Sequence, residues 1–416
     1  MRLVRRLGLS VCLLLTGGAV TSAQQPPSQV LRLTEAEALE RMMSSDPRMR
    51  GLGARIDEVR AVQAERLLWP NPVVTYSREH VANTDDVFVV ARQELPITGR
   101  MSRIETAGRF AVDAAEADIR FQRVRLQAEL RQVFTTLLLA QEREAVLLDG
   151  IKALQDLIAM LRAREDAGEG SSYDRMRGER ALAELRAELV SAQVARAQAQ
   201  GELAGYLGPN VLPQTLGAAG QLEHSGPAPL LASLVEQAIA ARADHRVYEL
   251  LVQQFEAERL AAARLRVPTP AVSGGLKRSG SNDVRSEGYQ FSLDLTVPLF
   301  NRGQSAEALA AAQATRAAAD AAWSRVRIEA DVRAAHAALV MQQEEAARYR
   351  QSAADTAEPL VQIGRVGYEE GELGILELLD AETQVLRARL RLLELTAAAR
   401  RTAIDLDRAT GQEIRR

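Results

Sequence analysis

The side chains that most often carry catalysis or bind metals are few and widely spaced in this chain. Its 416 residues include four histidines, His80, His224, His245 and His336, and none is paired with another at the i, i+4 spacing of a helical zinc site. The single cysteine is Cys12. No glycine-rich loop follows a strand-like segment to hold a phosphate. The sequence therefore predicts no resident metal and no cofactor.

Two acidic residues form a more specific pattern. Glu377 and Asp380 lie one helical turn apart in the segment ILELLDA, on the same face of a helix. Near the start of that helix, they could complement the partial positive charge of its N-terminus. A hydrolase with paired carboxylates would need strands and helices arranged around a pocket, and the sequence shows no such βα context. We therefore predict that the chain is not an enzyme.

Charge and the first residues indicate where the protein resides. Lys and Arg number 52 and Asp and Glu 55, a net charge of −3 without a basic block, which argues against a nucleic-acid partner. In residues 1–23, three arginines precede an apolar run and small residues follow, as in a secretory signal peptide cleaved before Gln24. Cys12 lies inside this segment, and its neighbours argue against lipidation.

The chain contains an internal repeat of about 200 residues, a period that indicates two related structural units. Residues 38–72 parallel 234–270, and residues 168–179 parallel 371–382. A segment rich in Gly and Pro separates the two halves. We predict a first repeat at 24–208, a linker at 209–230 and a second repeat at 231–416.

Each half is predicted to contain a very long helix, a turn and an antiparallel partner helix. Residues 100–164 lack Pro and carry apolar residues at spacings of three and four, which is typical of a coiled coil. The matching helix is expected at 304–365, with one apolar face at Trp323 and Val326 and another at Ile328 and Val332. Two apolar faces imply two helical neighbours.

Short segments with a period of two precede each long helix and predict β-hairpins. The expected strands are residues 73–80, 87–95, 271–278 and 289–297. In the last, apolar Tyr289, Phe291 and Leu293 alternate with polar residues, which is typical of a lipid-facing strand. Four strands are too few to close a membrane barrel, which needs about eight, so copies of the chain must combine.

Proline and glycine mark where each second strand should bend into a long helix. Pro96 and Pro298 end the strands because proline has no N–H for the ladder. Gly99 and Gly303 follow and permit the turn.

The repeat and several motifs resemble the TolC-type outer membrane factors of Gram-negative bacteria over essentially the whole mature chain. The motifs are LTEAEALERMMSSDPRM, WPNP before the first strand, the Pro-containing strand-to-helix turns and GYEEGELGILELLDAETQVLRARL. Within this family, VPLFNRGQSAEALAAAQA and LPITGRMSRIETA are most similar to the CzcC-like branch of heavy-metal efflux channels.

The resemblance implies a mainly helical protein with a membrane β-barrel. A homotrimer would build a twelve-stranded outer membrane barrel, four strands from each chain, which continues into an α-helical tunnel across the periplasm. The implied function is passive conduction of substrate, heavy-metal cations in this branch, from a periplasmic adaptor and an inner membrane pump of the RND type. The implied location is the cell outer membrane.

The resemblance also assigns roles to the helix ends. Glu377 and Asp380 match the two acidic positions that line the entrance constriction and would form a cation-favouring gate. Arg164, Gly168 and Gly371 would contact the adaptor. The second half has Gly367 where the family pattern expects Arg.

Other functions remain open at this point. The same family includes channels for drugs or organic solutes and for type I secretion. A periplasmic adaptor or an exported coiled-coil scaffold would also have long helices. An adaptor would have β-rich domains around a single helical hairpin, whereas this sequence predicts two hairpins with strands between helices.

Overall fold

The computed structural model describes residues 31–223, 226, 228–281 and 284–412. The predicted signal peptide and His224 lie outside these residues. Long helices dominate the described part, and two small groups of strands complete it. The helices are α1 Glu35–Ser45, α2 Pro47–Glu65, α3 Arg100–Asp166, α4 Ser172–Leu207, α5 Leu231–Ala241, α6 Ala243–Ala263, α7 Gln304–Tyr349, α8 Asp355–Glu369 and α9 Ile375–Thr410. The strands are β1 Leu31–Leu33, β2 Val73–Val81, β3 Thr84–Glu94, β4 Leu216–Ala218, β5 Thr269–Ser281 and β6 Val284–Thr296.

The first helices begin at sequence signals that satisfy their free N–H groups. Thr34 and Glu37 form a reciprocal capping box at the start of α1, with the Thr34 N–H donating to the Glu37 carboxylate at 2.7 Å. The Asp46 side chain caps α2 by accepting from the Arg48 N–H at 2.8 Å, and Pro47 occupies the first helical position.

The larger sheet joins the two halves of the chain. Its strand order is β2-β3-β5-β6, with every neighbouring pair antiparallel, and β3 pairs with β5 from Thr84 opposite Ser281 to Glu94 opposite Ala271. The strands contain most of each segment predicted from the sequence and extend further toward the hairpin turns. The smaller sheet pairs β1 with β4 in parallel, so it also brings distant segments together.

Helix α3 runs unbroken for 67 residues, close to the prediction, and spans on the order of 100 Å. Its buried side chains contribute to two hydrophobic clusters. Near its middle, Phe134 and Leu137 pack with Leu203 of α4 and Met42 of α1. Toward its end, the predicted seam Leu147, Ile151, Leu154, Ile158 and Leu161 is buried against α4 and α9.

The helix predicted at 304–365 is present, but it is not α-helical throughout. Helix α7 ends at Tyr349, a π-helical turn covers Arg350–Ala354, and α8 continues to Glu369. Pro359 lies inside α8, where it lacks an N–H and its ring crowds the carbonyl of Asp355. A wider turn accommodates this local misfit, whereas α3 contains no proline and has no such interruption.

A network of charged side chains links α1, α3 and α9 at mid-molecule. The Arg131 guanidinium lies between two carboxylates, 2.6 Å from Glu35 and 2.9 Å from Asp407. Arg400 forms a second ion pair with Glu35 and donates to Thr135 at 3.2 Å. All four charged groups are largely buried, so their pairing offsets the loss of hydration.

Candidate functional site

The two turns that join the antiparallel helices, which we call the hairpin tips, have the same hydrogen-bond pattern. Gly168 and Gly371 adopt φ of 75° and 78°, which favours glycine. After the first, the Glu169 N–H donates to the Arg164 carbonyl at 2.9 Å; after the second, the Glu372 N–H donates to Gly367 at 2.8 Å. Both are Schellman motifs, and they align the tips residue by residue.

This alignment settles which residue of the second tip corresponds to Arg164. Gly367 takes its place, and the Leu373 side chain fills the space, 2.7 Å from where a β-carbon on Gly367 would lie. Arg365 pairs with Glu382 at 2.9 Å, just as Arg162 pairs with Glu179 at 2.7 Å in the first tip. Arg365 is therefore the counterpart of Arg162 and does not substitute for Arg164.

Glu377 and Asp380 lie on the first turns of α9, and both are exposed. The Glu377 carboxylate folds back toward the helix start, with Oε2 2.8 Å from where a β-carbon on Gly374 would lie. Gly374 has no side chain to cap the helix, so this carboxylate complements the free N–H groups there. Asp380, one turn further along, is free of that role.

Tyr368 links the two tips and was missed from the sequence. Its side chain is only 7% exposed, its hydroxyl donates to Asp174 at 3.5 Å, and its carbonyl accepts from Arg164 Nη1 at 3.2 Å. The Arg164 guanidinium also stacks 5.2 Å from the Tyr368 ring centre. Burial, followed by the charge of Asp174, raises the pKa of Tyr368, so the phenol stays protonated and able to donate at neutral pH.

The strand-to-helix turns place glycine at the N-cap of each long helix. Gly99 and Gly303 have φ of 75° and 80°. A β-carbon on Gly303 would lie 2.5 Å from the Ala262 carbonyl oxygen, whereas one on Gly99 would meet nothing within 4 Å. Pro96 and Pro298 both lie after the last residue of their strands, Glu94 and Thr296.

In the part of the chain that the structure describes, no group of three or more His, Cys, Asp or Glu side chains is placed to hold a metal ion. His336 Nε2 lies 2.9 Å from the Pro229 carbonyl, and His245 Nε2 lies 3.7 Å from Glu249. Both imidazoles therefore contact other groups of the protein. None of the described helices combines the length and apolar character needed to cross a bilayer.

Comparison with known proteins identifies the family. The sequence pattern described as outer membrane efflux protein matches residues 63–209 and 234–412, one match in each half of the chain. The chain belongs to this family. Its members are efflux proteins of the outer membrane and are not enzymes.

The relatives of this outer membrane efflux protein match it over nearly their whole length. The cobalt-zinc-cadmium resistance protein CzcC of Cupriavidus metallidurans is 26% identical over 430 residues, 99% of this chain and 100% of that protein. A membrane protein from Pseudomonas aeruginosa has a TM-score of 0.75 at 20% identity, over 92% of this chain and 94% of its own. CusC has a TM-score of 0.75 at 19% identity, over 94% and 96%. The family match and the full-length similarity to CzcC confirm the predicted family resemblance, and the solved structures show the same fold.

A first prediction concerns the tip contact of this efflux protein. Tyr368→Phe removes the hydroxyl that donates to Asp174. The tip contact should lose up to about 1 kcal/mol of stabilising free energy. We expect about fivefold faster hydrogen exchange at amides of the turn after α8. Tyr173→Phe is the control, because the Tyr173 hydroxyl is bonded to Arg177 within its own helix. Equal exchange in wild type and Tyr368→Phe would show that the contact does not hold the tips together.

A second prediction compares the two strand-to-helix turns. Gly99→Ala adds only the strain of a positive φ, about 1 kcal/mol, whereas Gly303→Ala adds the same strain and a clash with backbone. We expect Gly303→Ala to lower the unfolding temperature of the protein clearly more than Gly99→Ala. Thermal unfolding of the purified variants measures the difference, and equal unfolding temperatures would contradict it.

Proposed function

We propose that the protein is a homotrimeric outer membrane channel that conducts heavy-metal cations passively as part of a tripartite RND-type efflux system. The observation that carries this proposal is the order in which strands and helices lie side by side, both in the sheet and in two layers of helices below it. The sheet runs β2-β3-β5-β6, the helices nearest the sheet run α2-α3-α6-α7, and the helices toward the tips run α4-α3-α9 and then α7 and α8. One edge therefore consists of β2, α2 and α4, and the other of β6, α7 and α8.

Both edges of the single chain carry exposed apolar side chains. On α7, the predicted face with Ile328 and Val332 is buried, whereas Trp323 and Val326 of the second predicted face are exposed. On α4, Val190 and Val194 are exposed in the same way. Because the two edges differ from each other, joining them head to tail generates a ring rather than a twofold dimer.

The sheet supports the same arrangement. The outer strands β2 and β6 each leave one row of N–H and C=O groups unpaired, which a membrane does not tolerate. Pairing β2 of one copy with β6 of the next satisfies both rows. Three copies would give the twelve-stranded barrel that the family resemblance implies, with exposed Tyr289, Phe291 and Leu293 toward lipid.

The helical part would form the tunnel, with the tips at its periplasmic entrance. Arg164, Gly168 and Gly371 would meet the adaptor there, and Glu377 and Asp380 would form two carboxylate rings that favour cations. The name of the full-length relative CzcC supports cobalt, zinc or cadmium as cargo. A passive conduit needs no resident metal, since the pump selects the cargo.

The assembly is tested by charging the exposed edge of α7. Trp323→Glu with Val326→Glu should abolish the heat-modifiable trimer in outer membrane fractions, because six buried charges would oppose the interface. Arg325→Glu is the control, as this exposed residue lies on another face of the same helix. Trimers in both variants at wild-type yield would contradict the head-to-tail ring.

The cargo is tested in a deletion strain. Loss of the protein should sensitise cells to zinc, cobalt or cadmium, and the plasmid-borne gene should restore resistance. Sensitivity to drugs or organic solvents instead, with unchanged metal resistance, would place the channel with a multidrug pump and overturn the metal assignment.

A further inference from the structure

The sheet has one face that changes abruptly from apolar to charged. Cross-strand register places Tyr76, Val89, Leu276 and Tyr289 in one row across this face. The next row toward the hairpin turns, about 7 Å away, contains Arg78, Val87, Arg278 and Glu287. The row beyond that contains His80, Asp85, Gly280 and Arg285. We call these last two rows the arginine rows.

The arginine rows surround an open depression. Gly280 has no side chain, and the space that this leaves is bordered by Asp85, Arg278 and Arg285. Arg78 pairs with Asp85, and Arg278 with Glu287 at 2.6 Å. Within the described residues Arg285 forms no ion pair, so the rows retain a net charge of +1 with His80 neutral.

We propose that the arginine rows bind the phosphate groups of a lipid headgroup in the outer leaflet. The inference rests on the proposed placement of the sheet in the outer membrane, with the hairpin turns outward. The acyl chains would lie against the apolar rows below, where Tyr289 is 90% exposed and Phe291 75%. In such a lipid the phosphates adjoin the acyl region, at the level of Arg278 and Arg285.

The chemistry of the side chains favours phosphate over other anions at this level. A guanidinium presents two parallel N–H groups that match two phosphate oxygens. Arg278 and Arg285 lie on adjacent strands one row apart, a spacing that lets both contact one headgroup. The opposite face of the sheet is different, because Lys277 there is paired with Asp86 at 2.8 Å and stacks on Phe88.

The test is native mass spectrometry of the purified full-length protein, titrated with lipid A that carries two phosphates, lipid A that carries one, and phosphatidylglycerol. We expect the doubly phosphorylated lipid to be retained most. Arg278→Gln and Arg285→Gln should each reduce its retention about fivefold. Glu287→Gln should raise retention by freeing Arg278, and Lys277→Gln on the opposite face should leave it unchanged.

The outcomes separate this inference from the proposed function. The inference is wrong if the protein retains all three lipids equally, or if Lys277→Gln loses as much lipid A as the two arginine variants. A trimer mass in the same spectra would then still support the channel assembly.

A monomer mass under all conditions contradicts the assembly itself. Displacement of lipid A by equimolar inorganic phosphate would show a free-phosphate site and would also overturn the lipid assignment. If Glu287→Gln reduces retention as much as Arg278→Gln does, the Arg278–Glu287 pair only maintains the local structure, and the inference is wrong.

Discussion

Replacing Glu377 with Gln and Asp380 with Asn is expected to remove most of the cation selectivity of the channel. In the proposed trimer, each residue would contribute a ring of three carboxylates. At a separation of about 6 Å, each pair repels by roughly 0.7 kcal/mol in water and by more in a narrow entrance. Cations would relieve this repulsion, so the proposed rings should attract cations and exclude anions. The double variant should lose both effects.

The measurement is single-channel conductance in a planar bilayer, with and without multivalent cations. The wild type should favour cations and be blocked by multivalent ions, and the variant should show weak selectivity and little block. Glu370→Gln with Glu372→Gln is the matched control, because it removes the same charge from the neighbouring turn. Equal selectivity and block in wild type and the Glu377/Asp380 variant would exclude these residues from the gate.

Replacing Arg131 with Met is expected to cause the largest loss of stability. The substitution removes the cation between the buried carboxylates of Glu35 and Asp407, at 2.6 and 2.9 Å. A buried carboxylate that loses one hydrogen-bonded cation costs about 1–3 kcal/mol, and the cost stays in this range because Glu35 keeps its pair with Arg400. Arg400 would still link α1, α3 and α9 through Glu35 and Thr135, so the network would be weakened rather than lost.

The control for this variant is Arg125→Met in the same helix. Arg125 is half exposed and pairs with Glu129 one turn away at 3.3 Å, an interaction of about 0.3–0.5 kcal/mol. Thermal unfolding of the two purified variants compares the effects. Unfolding temperatures that fall by the same amount would show that the buried network contributes no more than a surface pair.

Much of the fold could be predicted because the apolar residues recur at regular spacings in the sequence. The seam from Leu147 to Leu161 repeats at three and four, and it is buried as coiled-coil packing requires. The alternation around Tyr289 and Phe291 marks a strand that the structure contains. Gly99 and Gly303 were predicted to permit the strand-to-helix turns, and both have positive φ. Each of these patterns lies within one segment, so it can be recognised without knowing which distant segments pack against it.

The features that were missed depend on contacts between distant segments. Tyr368 lies just beyond the predicted helix at 304–365, and only the packing of the two tips places it beside Asp174 and Arg164. Pro359 was a local signal, but the prediction of a helix at 304–365 took no account of it. The roles of Glu377 and Asp380 depend on further copies of the chain, so their assignment as a gate stays a prediction.

The most direct test of the central claim is an electron cryomicroscopy map of the protein purified from outer membranes in detergent. The account predicts a threefold ring in which β2 of one chain pairs with β6 of the next and α4 packs against α7 and α8 of the neighbour. A monomer, or a dimer in which the same edge meets itself, would contradict it.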